Sequence, residues 1–145
     1  MKKICLSMLC FVMILSPVAF AAETADEMKT YLSDMNKIVV TIEMTMRNLG
    51  GSILPVKNAI EQFAGAIEKF EALKPSLTFS KEHYSMLDSF KTIRNGLELL
   101  STGDRDKANE IVKKGAALLK ESAMNMKKIA EEKGLIPVKP AVPVL

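Results

Sequence analysis

Cysteine is scarce in this chain of 145 residues, and both copies, Cys5 and Cys10, lie in its apolar N-terminal run. If that run is removed, the remaining chain can form no disulfide and no thiolate site for zinc or an iron–sulfur cluster. It also cannot attach haem covalently, because that attachment needs a Cys-x-x-Cys-His arrangement. The sequence therefore predicts a fold that its apolar core alone stabilises.

Histidine is scarcer still, with His83 as the only copy. One histidine and no retained cysteine leave none of the usual catalytic triads. The Glu-x-x-His pattern of di-iron bundles is also missing, because Ser80 rather than glutamate stands three residues before His83. We therefore expect no enzyme and name no catalytic residue.

Charge of one sign is not in excess either. The formal net charge is +3, and it falls by two once Lys2 and Lys3 leave with the N-terminal run. Nucleic-acid binding favours a strong basic patch with interleaved aromatic residues, which this sequence does not show. We therefore expect no nucleic-acid partner.

The N-terminus has the pattern of a secretory signal peptide. Two lysines precede an apolar run from Ile4 to Leu15, and Ala19 and Ala21 occupy the small-residue positions before a cut after Ala21. The run is too short for a comfortable membrane span, which needs about 20 apolar residues. We predict a signal peptide at 1–21 and a periplasmic mature chain without a membrane span, with an uncleaved anchor as the alternative.

A heptad pattern dominates the next stretch of the chain. Its apolar residues recur at alternating steps of four and three, at Met28, Leu32, Met35, Val39, Ile42, Met46 and Leu49. This spacing predicts a helix from about 26 to 49 with one apolar face. Thr24 and Glu27 are expected to form a capping box at its start. No isolated helix can bury such a face, so other helices must cover it.

Three further helices are expected from their apolar spacing and their boundary residues. The second is predicted from about residue 53, with Ser52 as its N-cap and Pro55 in its first turn. The third is predicted to start at an N-cap, Ser80. The fourth follows a break at Gly103 and Asp104, where glycine can adopt the left-handed conformation that ends a helix.

The four predicted helices have similar lengths and short connections. This pattern predicts an all-α fold, an antiparallel up-down-up-down four-helix bundle over residues 22–134. The residues that follow, 135–145, contain prolines at three-residue spacing, Pro137, Pro140 and Pro143. We predict an extended, flexible tail there, and a polyproline strap that docks on a partner is the alternative.

Up-down topology brings one end of every helix to a shared pole of the bundle. Six residues of interest are expected at that pole: Met28, Phe70, His83, Tyr84, Met124 and Met126. Bundles build cofactor sites from side chains on facing helices, so this pole is the expected place of a site. For two of these residues a structural interpretation competes with a role in such a site. Met28 would then be a core residue, and His83 would be a solvated, mostly neutral residue in the first turn of a helix.

Two short stretches have a family resemblance. Residues 25–28, Ala-Asp-Glu-Met, followed by Leu32, and residues 99–108, Leu-Leu-Ser-Thr-Gly-Asp-Arg-Asp-Lys-Ala, resemble parts of the soluble periplasmic cytochrome b562 family. They are similar to that family's helix 1 opening and to its turn between helices 3 and 4. The resemblance implies non-covalently bound haem b, one-electron transfer and a periplasmic redox partner. It also implies Met28 as one axial ligand of the haem iron.

The second ligand that the resemblance implies, a histidine near the end of helix 4, has no counterpart in this chain. Ala123 and Met124 stand near the corresponding position. Three alternatives are open: Met124 or Met126 is the second ligand, His83 supplies it from helix 3, or the scaffold has lost its haem. A copper(I) site would need Met28 together with Met124 or Met126 across two helices.

The competing functional class is a haem-free helical binding or interaction module of the cell envelope. Such a module would use the open end of the bundle, or the proline-containing tail, to hold a partner. We expect a monomer or a weak dimer in either case. The visible spectrum of the protein with added haemin distinguishes the two classes.

Overall fold

The computed structural model describes residues 23–50 and 54–137. The predicted signal peptide, the predicted cap Ser52 and residues 138–145 of the predicted tail lie outside these ranges. The described part contains four α-helices and no strand, so the prediction of an all-α fold is confirmed. None of these helices is both long enough and apolar enough to cross a membrane.

The helices follow one another with short connections. They are α1 (Ala25–Gly50), α2 (Val56–Ala72), α3 (Ser80–Thr102) and α4 (Arg105–Glu132), with a 3-10 turn at Leu77–Phe79 ahead of α3. The close backbone contacts join α1 to α2, α2 to α3 and α3 to α4. Each helix therefore packs on its neighbour in the sequence.

Local boundary residues act as predicted at the starts of α1 and α4. The Thr24 backbone N–H donates to the Glu27 carboxylate at 2.8 Å, and the Glu27 N–H donates to the Thr24 hydroxyl at 3.2 Å. Asp104 accepts a hydrogen bond from the Lys107 N–H at 3.3 Å. Gly103, with a φ of 97°, makes the left-handed turn before it. The predicted capping box and the predicted break are both confirmed.

The starts of α2 and α3 differ from the prediction. The first helical residue of α2 is Val56, so Pro55 precedes the helix instead of lying in its first turn. Ser80 is already helical, with φ −56° and ψ −43°, and its side chain caps nothing, so the prediction of a Ser80 cap is wrong. The physical reason is the preceding 3-10 turn, which buries Phe79 and leads the backbone directly into α3.

The buried stripe of α1 is wider than the predicted seam. Met28, Met35 and Ile42 are buried as expected, whereas the other seam residues, Leu32, Val39, Met46 and Leu49, are only half-buried. A second set of buried residues takes their place, namely Tyr31, Ile38 and Thr45. α1 is therefore turned so that one side of its apolar face meets the core and the other side stays partly open.

The packing of α4 on α3 is very close, because two glycines let the backbones approach each other. A Cβ atom added at Gly96 would lie 2.6 Å from Val112 Cγ2, and one added at Gly115 would lie 2.6 Å from Ile93 Cγ1. The Ser85 and Ser122 hydroxyls add a hydrogen bond of 2.6 Å between the same two helices. α3 and α4 thus form a tightly joined pair.

The end of α4 is a Schellman turn around Gly134, whose φ is 66°. The Leu135 N–H donates to the Ala130 carbonyl at 2.9 Å, and the Gly134 N–H donates to the Glu131 carbonyl at 3.0 Å. Leu135 is buried, and Ile136 packs against the core. The packed part of the chain therefore reaches two residues into the segment predicted as a flexible tail.

Candidate functional site

A groove separates α1 from α4, whose backbone contacts with each other are sparse. Side chains of the two helices line two adjoining cavities, of about 590 Å³ and about 370 Å³. Both cavities are bordered by Val39, Glu43, Ala123 and Lys127. The two cavities therefore adjoin at these residues, and we call them together the α1–α4 groove.

The floor of the α1–α4 groove lies deep in the fold. It reaches Met86 and Ile93 of α3, and each of these side chains is only 1% exposed. The half-buried seam residues Leu32, Val39 and Met46 form the α1 wall. The open side of the α1 stripe is therefore the side that lines the groove.

Small side chains on the α4 wall account for the space. Ala116, Ala123 and Ala130 line the groove at intervals of seven residues, so they lie on one face of the helix. A methyl group in place of a Leu or Ile side chain leaves the facing residues without contact atoms. Since α4 is held against α3 at Gly115, it does not move over to fill the gap.

Methionine is the commonest residue around the α1–α4 groove. Met35, Met86 and Met126 line the smaller cavity, and Met46 and Met124 line the larger one. The unbranched, polarisable thioether side chain adapts its shape to what it contacts, and methionine-rich surfaces are typical of binding sites. The lining is thus able to repack around a guest.

Four charged residues stand along the α1–α4 groove. Glu43 and Arg47 belong to α1, and Lys120 and Lys127 belong to α4. The Lys127 ammonium lies 3.7 Å from the Glu131 carboxylate. Within the described residues Arg47 and Lys120 form no ion pair. The larger cavity is therefore bordered by more positive than negative charge.

The methionines predicted as haem ligands differ in their exposure and in the cavities that they line. Met28 is 8% exposed and belongs to the core, and it lines neither cavity of the groove. Met126 is buried and lines the smaller cavity, whereas Met124 is 62% exposed at the larger one. These three methionines therefore do not border a common space in the described part of the chain.

His83 is 2% exposed, so its interpretation as a solvated first-turn residue is wrong. Its Nδ1 atom lies 2.9 Å from the Tyr31 hydroxyl oxygen, in a hydrogen bond. The Phe70 ring stacks on the imidazole with centroids 4.5 Å apart, and the Tyr84 ring meets it edge-on. Burial lowers the pKa of His83, in agreement with the predicted neutral imidazole.

Tyr31 is the residue of this cluster that the sequence analysis missed. Its ring stacks on Phe79 with centroids 6.0 Å apart, and its hydroxyl joins α1 to His83 of α3. Burial raises the pKa of this hydroxyl, and the Glu23 and Glu82 carboxylates raise it further. The sequence did contain a pattern that indicates this residue. Tyr31, Ile38 and Thr45 recur at intervals of seven residues, each one position before a residue of the seam.

Acidic, histidine and cysteine side chains are the usual protein ligands of a metal ion. No group of three such residues within 23–50 and 54–137 is arranged to hold a metal ion. The described hydrogen bond of His83, to Tyr31, and its stacking on Phe70 fit a structural tie between helices. The α1–α4 groove, with its mostly apolar lining and a few charged side chains, is a candidate site for an apolar ligand.

Neither family models nor curated proteins nor solved structures include a match to this chain. The resemblance to the cytochrome b562 family therefore stays a prediction from the two quoted stretches. Function has to be argued from the geometry of the molecule.

Proposed function

We propose that the protein is a binding module, which holds an apolar ligand in the α1–α4 groove of an antiparallel up-down four-helix bundle. The observation that supports it most strongly is the pair of adjoining cavities whose floor reaches Met86 and Ile93. Ligand sites are concave and mostly apolar, with volumes of about 300–1,000 Å³ and a few polar groups at defined places. Each cavity falls in that range.

The contacts between α3 and α4 support the antiparallel part of this proposal. Ser85, early in α3, meets Ser122, late in α4. Gly96, late in α3, lies against Val112, early in α4. Late residues of one helix thus face early residues of the other, which is the relation that an up-down bundle requires.

The predicted signal peptide indicates the compartment in which the proposed binding would take place. A chain cleaved after Ala21 would carry its ligand in the periplasm, outside the cytoplasmic pool of the same compound. The proposal needs no catalytic group, in line with the expectation that the protein is not an enzyme. Its function would be to sequester, transport or present an apolar compound.

A neutral, environment-sensitive dye such as Nile red tests the proposal. We expect its fluorescence to rise on binding to the mature protein, and Ala123→Leu to abolish that rise by filling the space where the two cavities join. Ala117→Leu is the matched control, because Ala117 is exposed on α4 and lines neither cavity. Equal dye binding by both variants would show that the groove is not the site.

Haem-dependent electron transfer stays a prediction, because nothing in the described structure tests it. Met28 and His83 line neither cavity, while Met124 and Met126 line different ones. Two of the predicted ligands, Met28 and His83, thus do not border the α1–α4 groove, and we derive no step through haem. If haemin gave a sharp reduced Soret band that Met28→Ala removed, the haem carrier would replace the binding module as the better proposal.

A further inference from the structure

We infer that the ligand of the α1–α4 groove is a free long-chain fatty acid, with its carboxylate at Arg47 and Lys120 and its acyl chain directed toward Ile136. This inference rests on the proposed function and adds to it the chemical class and the orientation of the ligand. Three features support it: the distribution of charge, the length of the groove and its depth.

The two cavities of the α1–α4 groove differ in the cations that border them. Arg47 and Lys120 border the larger cavity only. The smaller cavity has a mostly apolar lining, which includes Ala130 and Ile136. A ligand with one anionic end and one apolar end matches this arrangement, because each end meets its own kind of surface.

The two charged residues between those ends do not cancel this polarity. Glu43 and Lys127 border both cavities and carry opposite charges, so together they add no net charge to either end. Lys127 lies beside Glu131 on α4, at 3.7 Å. Arg47 and Lys120 are therefore the lining cations that form no ion pair among the described residues.

The length of the α1–α4 groove suits one acyl chain. Its α1 wall runs from Leu32 to Arg47, which spans about 22 Å at about 1.5 Å per residue. The hydrocarbon core of a bilayer, which holds two acyl chains end to end, is about 30 Å thick, so one chain spans about 15 Å. The groove therefore has room for one chain and its headgroup.

The depth of the groove favours a chain over a protein helix. An α-helix with its side chains is about 10 Å wide, so it would have to push α1 and α4 apart before it reached Met86 and Ile93. A flexible acyl chain is much thinner and reaches the same floor without that movement. Methionine side chains, with their several rotatable bonds, can pack around it.

The headgroup is assigned to a carboxylate because Arg47 and Lys120 are both cationic. A zwitterionic phospholipid headgroup would place its own positive charge beside them, at a cost in repulsion. A long-chain alcohol would leave both cations without a charged partner. Palmitate should therefore bind more tightly than the alcohol or the lysophosphatidylcholine with the same chain.

Displacement of Nile red from the delipidated mature protein tests the inference. We expect palmitate to displace the dye, and the double variant Arg47→Glu, Lys120→Glu to weaken palmitate about tenfold or more through loss of charge-assisted contacts. Displacement by the alcohol should not change in that variant. The control pair Lys113→Glu, Lys114→Glu makes the same charge change at exposed positions that line neither cavity.

The outcomes separate failure of the inference from failure of the proposed function. If Nile red binds and Ala123→Leu blocks it, but palmitate displaces nothing, the fatty-acid inference is overturned and the binding module stands. Displacement by lysophosphatidylcholine as good as by palmitate, or by an amphipathic helical peptide instead, overturns it too. If the dye does not bind at all, both are lost.

Discussion

The two faces of α4 differ sharply in how they are packed. On one face Gly115 and Ser122 hold the helix against α3 so closely that no Cβ fits at the glycine. On the other face Ala116 and Ala123, each one residue further along, border an open groove. Small residues close a helix interface only where the facing helix is free to approach. Where other contacts hold the facing helix away, the same small residues leave a cavity.

The largest expected effect comes from breaking the closed face. Gly115→Ala should destabilise the protein by about 2 kcal/mol, because overpacking against a backbone costs up to about 3 kcal/mol and the helix propensity of alanine returns about 1 kcal/mol. The added Cβ would lie 3.0 Å from the Ile93 backbone nitrogen, so the helices themselves must move. Urea unfolding followed by circular dichroism measures the change.

Gly65→Ala provides the matched control for that variant. Gly65 lies inside α2, and an added Cβ there meets nothing within 4 Å. We expect a gain of about 0.5–1 kcal/mol, as for an ordinary helix position. If both alanine variants shifted stability in the same direction, the α3–α4 contact would not be as close as described.

The next largest effect concerns the hydrogen bond between Tyr31 and His83, which helps to position α1 beside the groove. Tyr31→Phe keeps the ring on Phe79 but removes the hydroxyl bonded to His83, which leaves a buried ring nitrogen without its described partner. We expect a loss of about 1–2 kcal/mol in the free energy of unfolding. Tyr84→Phe is the control, because Tyr84 is exposed and should change little.

The titration of His83, at the same hydrogen bond, gives a smaller and pH-dependent effect on the free energy of unfolding. Its folded pKa lies below the ordinary 6.5 because of burial, so the unfolded chain binds the proton more readily. Stability should therefore fall as the pH drops below about 6.5, until the folded pKa is reached. Proton NMR measures that pKa without ambiguity, since the chain has one histidine. A folded pKa at or above 6.5 contradicts this account.

The smallest effect on stability is expected on the open face. Gly115→Ala adds a methyl group to the face of α4 that packs on α3. Ala123→Leu adds a larger apolar side chain, which enters the space of the α1–α4 groove. We expect the free energy of unfolding to stay within about 1 kcal/mol of the parent value, since the added surface is partly buried. A loss as large as that of Gly115→Ala would mean that the groove is closed in solution.

Local features of the fold could be predicted from the sequence. The capping box of Thr24 and Glu27 and the turn at Gly103 and Asp104 depend on residues that are neighbours in the chain, and the structure contains both. Ser80 was predicted as a cap from the same kind of pattern. There the buried Phe79 just before it, a tertiary effect, decided the backbone instead.

The candidate site could be predicted only in part. The seam of α1 named Leu32, Val39 and Met46, which do line the groove, but it assigned them to the core. Whether such residues face a neighbour or a cavity depends on the distance between α1 and α4. That distance is set by contacts far along the chain, such as Gly115 against Ile93, and no local pattern encodes it.

The position of Ile136 gives experimental access to the groove. This side chain borders the smaller cavity from just beyond the Schellman turn, and the chain contains no tryptophan. An Ile136→Trp variant would therefore carry a single indole beside the far end of the ligand space. Its emission wavelength would report whether the apolar end of a guest has arrived, without any label on the guest itself.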